Sequence, residues 1–402
     1  MAEVWTIKRC MDWTREYLKD KGVDRARHEA AWMLSSVTGL SRMELFLALD
    51  RPLSKPELDR MHGCVVRRAK GEPLQYITGD TQFRTINVIC EPGVLIPRPE
   101  TELLVEEVLN FLDAEVLPAP VQKRRRIELP WNAEVAAARK AEEAARAESA
   151  VGEGADALAS GEPAQDADAP ETPSAETDLA APPSTEAAPQ PAPSAAAAPD
   201  APQPARTGRP ARVLEIGSGT GCISLSLAAE RPGLVAAVAT DIDPQAVALS
   251  IRNREALGID AARADFREGS LTAPVRHEER GTFDVLVSNP PYIPEAVMAQ
   301  LPSEVVDYEP RRALVSGADG LDLFRHIVKA APHMLRPGGL LACELFEGAL
   351  DAAAALCRAE GLVDVRVVED LTRRPRFVLA RTVWGSEPLR ASPQAAGEDA
   401  WA

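Results

Sequence analysis

The sequence predicts a doubly wound α/β domain with a small helical module in front of it, and three observations predict the fold. From Arg212 onward, short apolar runs alternate with helix-period segments, the pattern of strands and helices in turn. The first of those runs, Arg212-Val213-Leu214-Glu215-Ile216, passes directly into Gly217-Ser218-Gly219-Thr220-Gly221 and then into a further apolar helix. The apolar run Val285-Leu286-Val287-Ser288 ends abruptly in Asn289-Pro290-Pro291-Tyr292. In open α/β sheets ligands bind beyond the carboxyl ends of strands, so both endings mark candidate site segments.

In chain order, residues 1–72 read as a helical N-terminal domain. Val4, Ile7, Met11 and Leu18 mark one face of a first helix, and Ala26, Ala30, Met33 and Val37 mark a second that stops at Gly39. Ser41-Arg42-Met43-Glu44 and Ser54-Lys55-Pro56-Glu57 are capping-box sequences, each opening a further helix; the later one turns Leu58, Met61 and Val65 inward and stops near Gly71. A module this small either docks a partner or stabilises the domain that follows.

Residues 73–116 form a connector. Phe83 and the alternating Ile86-Asn87-Val88, followed by the Glu91-Pro92-Gly93 turn, predict a β-hairpin. Val94-Leu95-Ile96-Pro97-Arg98-Pro99-Glu100-Thr101-Glu102 then opens a helix through Leu103, Leu104, Val108 and Phe111. Taken locally, its prolines and acids are ordinary helix-start chemistry.

Residues 117–209 change composition. Of 34 prolines, 15 fall between Pro118 and Pro210, and from Ala147 to Ala205 there are 11 acids and no Lys or Arg. Such a segment cannot bury enough apolar surface to offset its ordering entropy, and disorder is expected. The stretch from Ala147 to Ala205 carries −11 of the formal charge of −16, so the remainder is only mildly acidic. That argues against a broad DNA-gripping surface.

Residues 210–382 hold the α/β domain. Ile223 to Ala229 reads as the helix after the glycine loop, and Ala236 to Thr240 as the second strand, closing in Asp241-Ile242-Asp243. An acid there, about 20 residues after the loop, suits a bidentate hold on ribose hydroxyls. Asp265 to Leu271 is read as the connection after a third strand, Phe283 to Val287 as the fourth strand and Leu323 to Leu335 as an amphipathic helix. Pro337-Gly338-Gly339 reads as a turn, Leu340 to Glu344 as the fifth strand and Ala349 to Glu360 as a helix. Val363–Val368 with Arg376–Ala380 makes an antiparallel pair, and residues 383–402 form a tail. Six scattered cysteines without a C-x-x-C pair predict neither a metal site nor a disulfide framework. No apolar run approaches the ~20 residues needed to span a bilayer, and no signal-peptide core opens the chain, so a cytoplasmic protein without a membrane partner is expected.

The Asn289 segment suggests its own chemistry. Pro291 lacks an N–H and biases Pro290 toward an extended backbone, so the Pro290 carbonyl is expected to project as a rigid acceptor. Asn289 adds a second acceptor and two donors, and Tyr292 a flat face. Together they suit a planar –NH2 group. A proline-rich turn leaving a strand is the plainer reading of the same residues, and context decides between them.

Several segments together resemble the HemK/PrmC family of release factor glutamine methyltransferases, class I S-adenosylmethionine-dependent enzymes. They are Leu74-Gln75-Tyr76-Ile77-Thr78-Gly79, Val94 to Glu102, Glu215 to Cys222, Asn289-Pro290-Pro291-Tyr292-Ile293-Pro294, Tyr308-Glu309-Pro310-Arg311-Arg312-Ala313-Leu314 and Gly320-Leu321-Asp322. The likeness covers roughly residues 1 to 115 and 210 to 382. It implies that Gly217, Ser218, Gly219, Thr220, Gly221, Asp241 and Ser270 hold S-adenosylmethionine, with Asn289 between cofactor and substrate. Many relatives carry a bulky aromatic at the position of Ser270. It further implies that Asn289, Pro290, Pro291 and Tyr292 receive the glutamine of a Gly-Gly-Gln loop in class 1 peptide chain release factors, with Asn289, Pro290 and Tyr292 catalytic. The helical module would grip another part of that partner, and a monomer without metal is expected. Asn-Pro-Pro-Tyr is shared with adenine-N6 methyltransferases of nucleic acids, and the glutamine methyltransferase of ribosomal protein L3 is a second rival. A DNA enzyme should carry a basic, aromatic recognition domain, whereas the extra segment here is acidic.

Overall fold

The structure, a computed structural model, describes residues 4–117 and 209–384. The expected disordered insert over 117–209, and the tail beyond Trp384, lie outside the described residues apart from their edges. The helical module comprises α1 (Ile7–Asp20), α2 (Ala26–Thr38), α3 (Arg42–Leu47) and α4 (Lys55–Ala69). Both capping boxes form, and α2 stops at Gly39 in the left-handed conformation. The first helix starts later than its apolar pattern suggests. Thr6 caps it by accepting the Arg9 N–H, and Val4 is 63% exposed rather than part of the apolar face. Ile7, Leu18, Met33, Leu34 and Leu45 pack into a core belonging to this module.

The connector contains a short helix that the hairpin signals conceal, α5 (Leu74–Thr78), ended by Gly79 at φ +88°. The hairpin β1 (Asp80–Phe83) and β2 (Ile86–Ile89) follows, and then α6 (Thr101–Phe111). Arg84 turns the hairpin at φ +49°, a costly conformation for a residue with a Cβ. Its guanidinium offsets that cost by binding Glu230 at 2.5 Å, Glu106 at 2.7 Å and the Glu102 carbonyl at 2.9 Å.

The α/β domain contains β3 (Ala211–Ile216), α7 (Cys222–Glu230), β4 (Val235–Asp241), α8 (Pro244–Ala256), β5 (Ala264–Glu268), β6 (Phe283–Ser288), α9 (Ser303–Tyr308), α10 (Asp322–Met334), β7 (Leu335–Glu344), α11 (Leu350–Ala359), β8 (Val363–Glu369) and β9 (Pro375–Arg381). Its seven strands run in the order β5-β4-β3-β6-β7-β9-β8, parallel except for β9, which is antiparallel to both neighbours. Alternate strand residues feed two cores, as a sheet covered on both faces requires. Val213, Val285 and Ala342 pack with α6 and α7 on one face, and Leu214, Leu286 and Leu341 pack with α10 and α11 on the other.

Two readings of the sequence need correction. The third strand occupies Ala264–Glu268, so the connection begins at Gly269 rather than Asp265. Its polar residues disguised it: β5 lies at the sheet edge, where Asp265 and Arg267 can pair with each other in partial contact with solvent. Pro337-Gly338-Gly339 is not a turn before the fifth strand but an irregularity inside it, between the pairs Phe283–Leu335 and Val285–Leu340.

Buried polar side chains tie the layers together. Near the amino end of β6, the fully buried Asp284 accepts the Arg212 N–H at 2.6 Å and pairs with Arg209 and Arg336. Asn253, fully buried on α8, joins the hairpin to the glycine loop. Its Oδ1 accepts the Ile89 N–H at 2.7 Å and its Nδ2 donates to the Thr220 carbonyl at 2.9 Å. Replacing Asn253 by Ala leaves both backbone groups without partners, at about 1–3 kcal/mol each. Denaturant titration of Asn253→Ala should therefore show a loss of about 2 kcal/mol or more; a stability equal to the parent's would mean that this link holds nothing.

Candidate active site

A cavity of about 470 Å³ lies over the carboxyl ends of four parallel strands. Gly217 and Gly219 enter it from β3, Asp241 from β4, Ser270 from the loop after β5, and Asn289 with Pro291 from beyond β6. Six of the residues singled out in the sequence thus meet around one space. Ser218, Thr220 and Gly221 shape the loop from behind it. Ser218 and Thr220 are buried, the Thr220 carbonyl is held by Asn253, and Gly221 at φ +81° has no room for a Cβ, which would meet the Phe266 ring at 2.9 Å.

The glycine loop is built for a ligand without phosphate. In nucleotide-binding loops the N-terminus of the following helix is left open to an anion. Here the buried Glu215 occupies that position, accepting both the backbone N–H (3.1 Å) and the hydroxyl of Ser224 near the start of α7. Burial, with the nearby Asp241 charge adding to it, pushes the Glu215 carboxyl up to about 8. Asp241 adds a second acid: its oxygens accept the N–H groups of Gly219 and Asp243, each at 2.9 Å. Each oxygen keeps a further lone pair, which leaves room for a diol. Ile242, 65% exposed on the cavity wall, offers an apolar surface for an aromatic plane. An acid with free lone pairs beside an apolar platform fits the ribose and the adenine of S-adenosylmethionine.

Behind the Asn289 side of the cavity lies a hydrogen-bonded network. Asn289 Nδ2 donates to Thr101 Oγ1 at 3.0 Å, Thr101 Oγ1 donates to Glu344 Oε2 at 2.7 Å, and the Tyr292 hydroxyl donates to Glu344 Oε1 at 3.1 Å. Burial raises the Glu344 carboxyl, while these two hydroxyls and the Arg376 charge act against the rise. The Pro290 ring is buried and Tyr292 packs on the core, so these two side chains support the wall from behind. Among the described residues no donor reaches the Pro290 carbonyl. The segment is pinned from outside as well. The Tyr292 and Ile293 N–H groups donate to the Leu314 carbonyl at 3.1 and 2.8 Å, which explains why Tyr308 to Leu314 accompanies it. Gly320, at φ +80°, packs so closely that a Cβ would lie 2.2 Å from the Tyr292 carbonyl oxygen. Arg98 reaches Glu309 at 2.6 Å and so ties the connector to the same loop. Sequence reasoning assigned no role to Thr101, Glu215, Ile242 or Glu344. The available signal was that Glu215 and Glu344 are acids set in or ending otherwise apolar strands.

Residues 10–79 match the PrmC N-terminal domain and residues 204–307 the methyltransferase small domain. The release factor glutamine methyltransferase of Geobacter sulfurreducens is 35% identical over 379 residues, covering 94% of this chain and 98% of that protein. This chain belongs to the release factor glutamine methyltransferase family. Other members include that of Rhodospirillum rubrum, 30% identical over 90% of this chain and 81% of its own length, and that of Chlorobaculum tepidum, 29% identical over 93% and 96%. Membership in the family accounts for the pairing of a helical N-terminal domain with an α/β methyltransferase domain, and S-adenosylmethionine is the cofactor. Among the described residues no group of His, Cys, Asp and Glu could hold a metal ion, and no helix is long and apolar enough to cross a membrane.

The raised Glu215 carboxyl has a consequence for stability. Its folded-state value of about 8 exceeds the ordinary 4.5, so the folded protein holds this proton more tightly than the unfolded chain. Both states are protonated below 4.5; between 4.5 and about 8 stability is lost as pH rises, and above that range the loss is complete. Thermal melts should therefore place Glu215→Gln level with the parent near the bottom of that window and progressively above it as pH rises. A gap that stays constant with pH would contradict the assignment.

Proposed function

We propose that this protein transfers the methyl group of S-adenosylmethionine to the side-chain amide nitrogen of the glutamine in the Gly-Gly-Gln loop of class 1 peptide chain release factors. The observation that carries the reading is that one cavity has the glycine loop and Asp241 on one side and Asn289 with Pro291 on the other. A methyl donor and an amide acceptor would thus share one space. Asp241 holds the ribose, and Gly217 and Gly219 let the donor lie against the backbone. Ile242 and Ser270 flank the adenine. Ser218, Thr220 and Gly221 keep the loop in shape.

The bound cofactor supplies an electrophilic methyl group on a sulfonium. An amide nitrogen is a poor nucleophile, because its lone pair is delocalised into the carbonyl, so position matters most. Asn289 Oδ1 and the Pro290 carbonyl would accept the two N–H bonds and so hold the nitrogen facing the cofactor side of the cavity; orientation of this kind supplies on the order of 7–11 kcal/mol. The same two acceptors stabilise positive charge as it develops on nitrogen. Pro291 keeps the Pro290 carbonyl out of the ladder, and Tyr292 braces the segment through Glu344. The helical module grips a second part of the release factor, and the cytoplasm is the compartment in which such a partner is met.

With labelled S-adenosylmethionine, a class 1 release factor and duplex DNA in one tube, label should appear on the release factor, and changing Gly-Gly-Gln to Gly-Gly-Ala should erase it. Label on adenine, or label that persists on the altered factor, would contradict this reading. Two variants separate the roles. By calorimetric titration, Asp241→Ala should lose cofactor affinity worth about 1.5–3 kcal/mol, whereas Asn289→Ala should stop turnover while cofactor affinity holds. Equal loss of both by Asn289→Ala would make Asn289 a cofactor residue.

A further inference from the structure

The two ends of an amide side chain have nearly the same shape, so an asparagine at an active site needs something to decide which end faces its ligand. For Asn289 the decision follows from counting protons. Both Glu344 oxygens act as acceptors, Oε2 for the Thr101 hydroxyl and Oε1 for the Tyr292 hydroxyl. Thr101 has one hydroxyl proton, and it is committed to Glu344. Toward its other neighbour, Asn289, the Thr101 oxygen can only accept, so the –NH2 end of Asn289 must face it and Oδ1 must face away. Thr101 and Glu344 are 2% and 1% exposed, which keeps water from substituting for either partner. Asn289 itself lines the cavity.

We propose that Thr101 and Glu344 are positioning residues for methyl transfer, locking the Asn289 amide with its oxygen toward the acceptor nitrogen. This rests on the glutamine reading above and adds to it a basis for selecting the acceptor. The locked oxygen welcomes an –NH2 group and repels a carboxylate. A turned amide would present N–H groups instead and oppose the glutamine nitrogen.

Thr101→Val keeps the side-chain volume and removes the oxygen, whereas Thr101→Ser keeps the oxygen. With release factor as substrate, Thr101→Val should lower kcat on the order of 100-fold, and Thr101→Ser should remain within about threefold of the parent. Calorimetry should show S-adenosylmethionine affinity within about twofold of the parent for both variants. A Thr101→Val enzyme with parental kcat would overturn the lock, as would a Thr101→Ser enzyme as slow as the valine variant or a matching loss of cofactor affinity. If Thr101→Val does not fold, Glu344→Gln takes its place: a carboxamide can offer N–H to Thr101 and release the threonine proton toward Asn289. There kcat should fall at least about tenfold with cofactor affinity held, and full activity would overturn the proposal. A parent enzyme that labels no release factor would indict the glutamine reading instead. An inactive Asn289→Ala beside a fully active Thr101→Val would indict the lock alone.

Discussion

A carboxyl group closed off from water, Glu344, sits where three parts of the chain converge. It ends β7, takes the hydroxyl of Thr101 from the start of α6, and takes the hydroxyl of Tyr292 from the segment after β6. A polar group left without a partner is costly where water cannot reach it, so each of the three segments constrains the other two. The connector therefore supports the cavity wall and is not only a link between domains. The bonds from Tyr292 and Ile293 to Leu314, and the close fit of Gly320 under the Tyr292 carbonyl, fix the same segment from the opposite side.

The placement of buried acids separates chemistry from architecture. Asp284, near the amino end of β6, is paired with arginines and a backbone N–H and serves to hold strands together. Glu215 and Glu344 belong to the carboxyl half of the sheet, where the cavity opens. Glu215 closes the helix N-terminus that would otherwise invite phosphate, and Glu344 anchors the wall that carries Asn289. One edge of the sheet thus carries stability and the other carries selection of ligands, as the topology of open α/β sheets leads one to expect.

Whatever was encoded locally could be read from the sequence. The passage from β3 through the glycine loop into α7, the acid ending β4 and the break after Ser288 each depend on neighbours in the chain, and each lies where the pattern placed it. Features set by distant partners could not be read so directly. Thr101 looked like part of a helix start because its partner Glu344 is 243 residues away. The edge strand β5 read as a connection because its polar residues pair along an exposed edge, and α5 was masked by the hairpin signals around it. Ser218 and Thr220 belong to the expected loop, yet they face its interior, a distinction that a Gly-x-Gly-x-Gly spacing does not carry.

In the proposed mechanism the acceptor nitrogen lies between Asn289 Oδ1 and the Pro290 carbonyl. A crystal structure of the enzyme with S-adenosylhomocysteine and a peptide containing Gly-Gly-Gln measures this directly. The glutamine side-chain nitrogen should lie about 3 Å from both oxygens, with Asn289 Nδ2 still on Thr101. A glutamine nitrogen bound elsewhere in the cavity, or an Asn289 amide turned with its nitrogen toward the substrate, would contradict this placement.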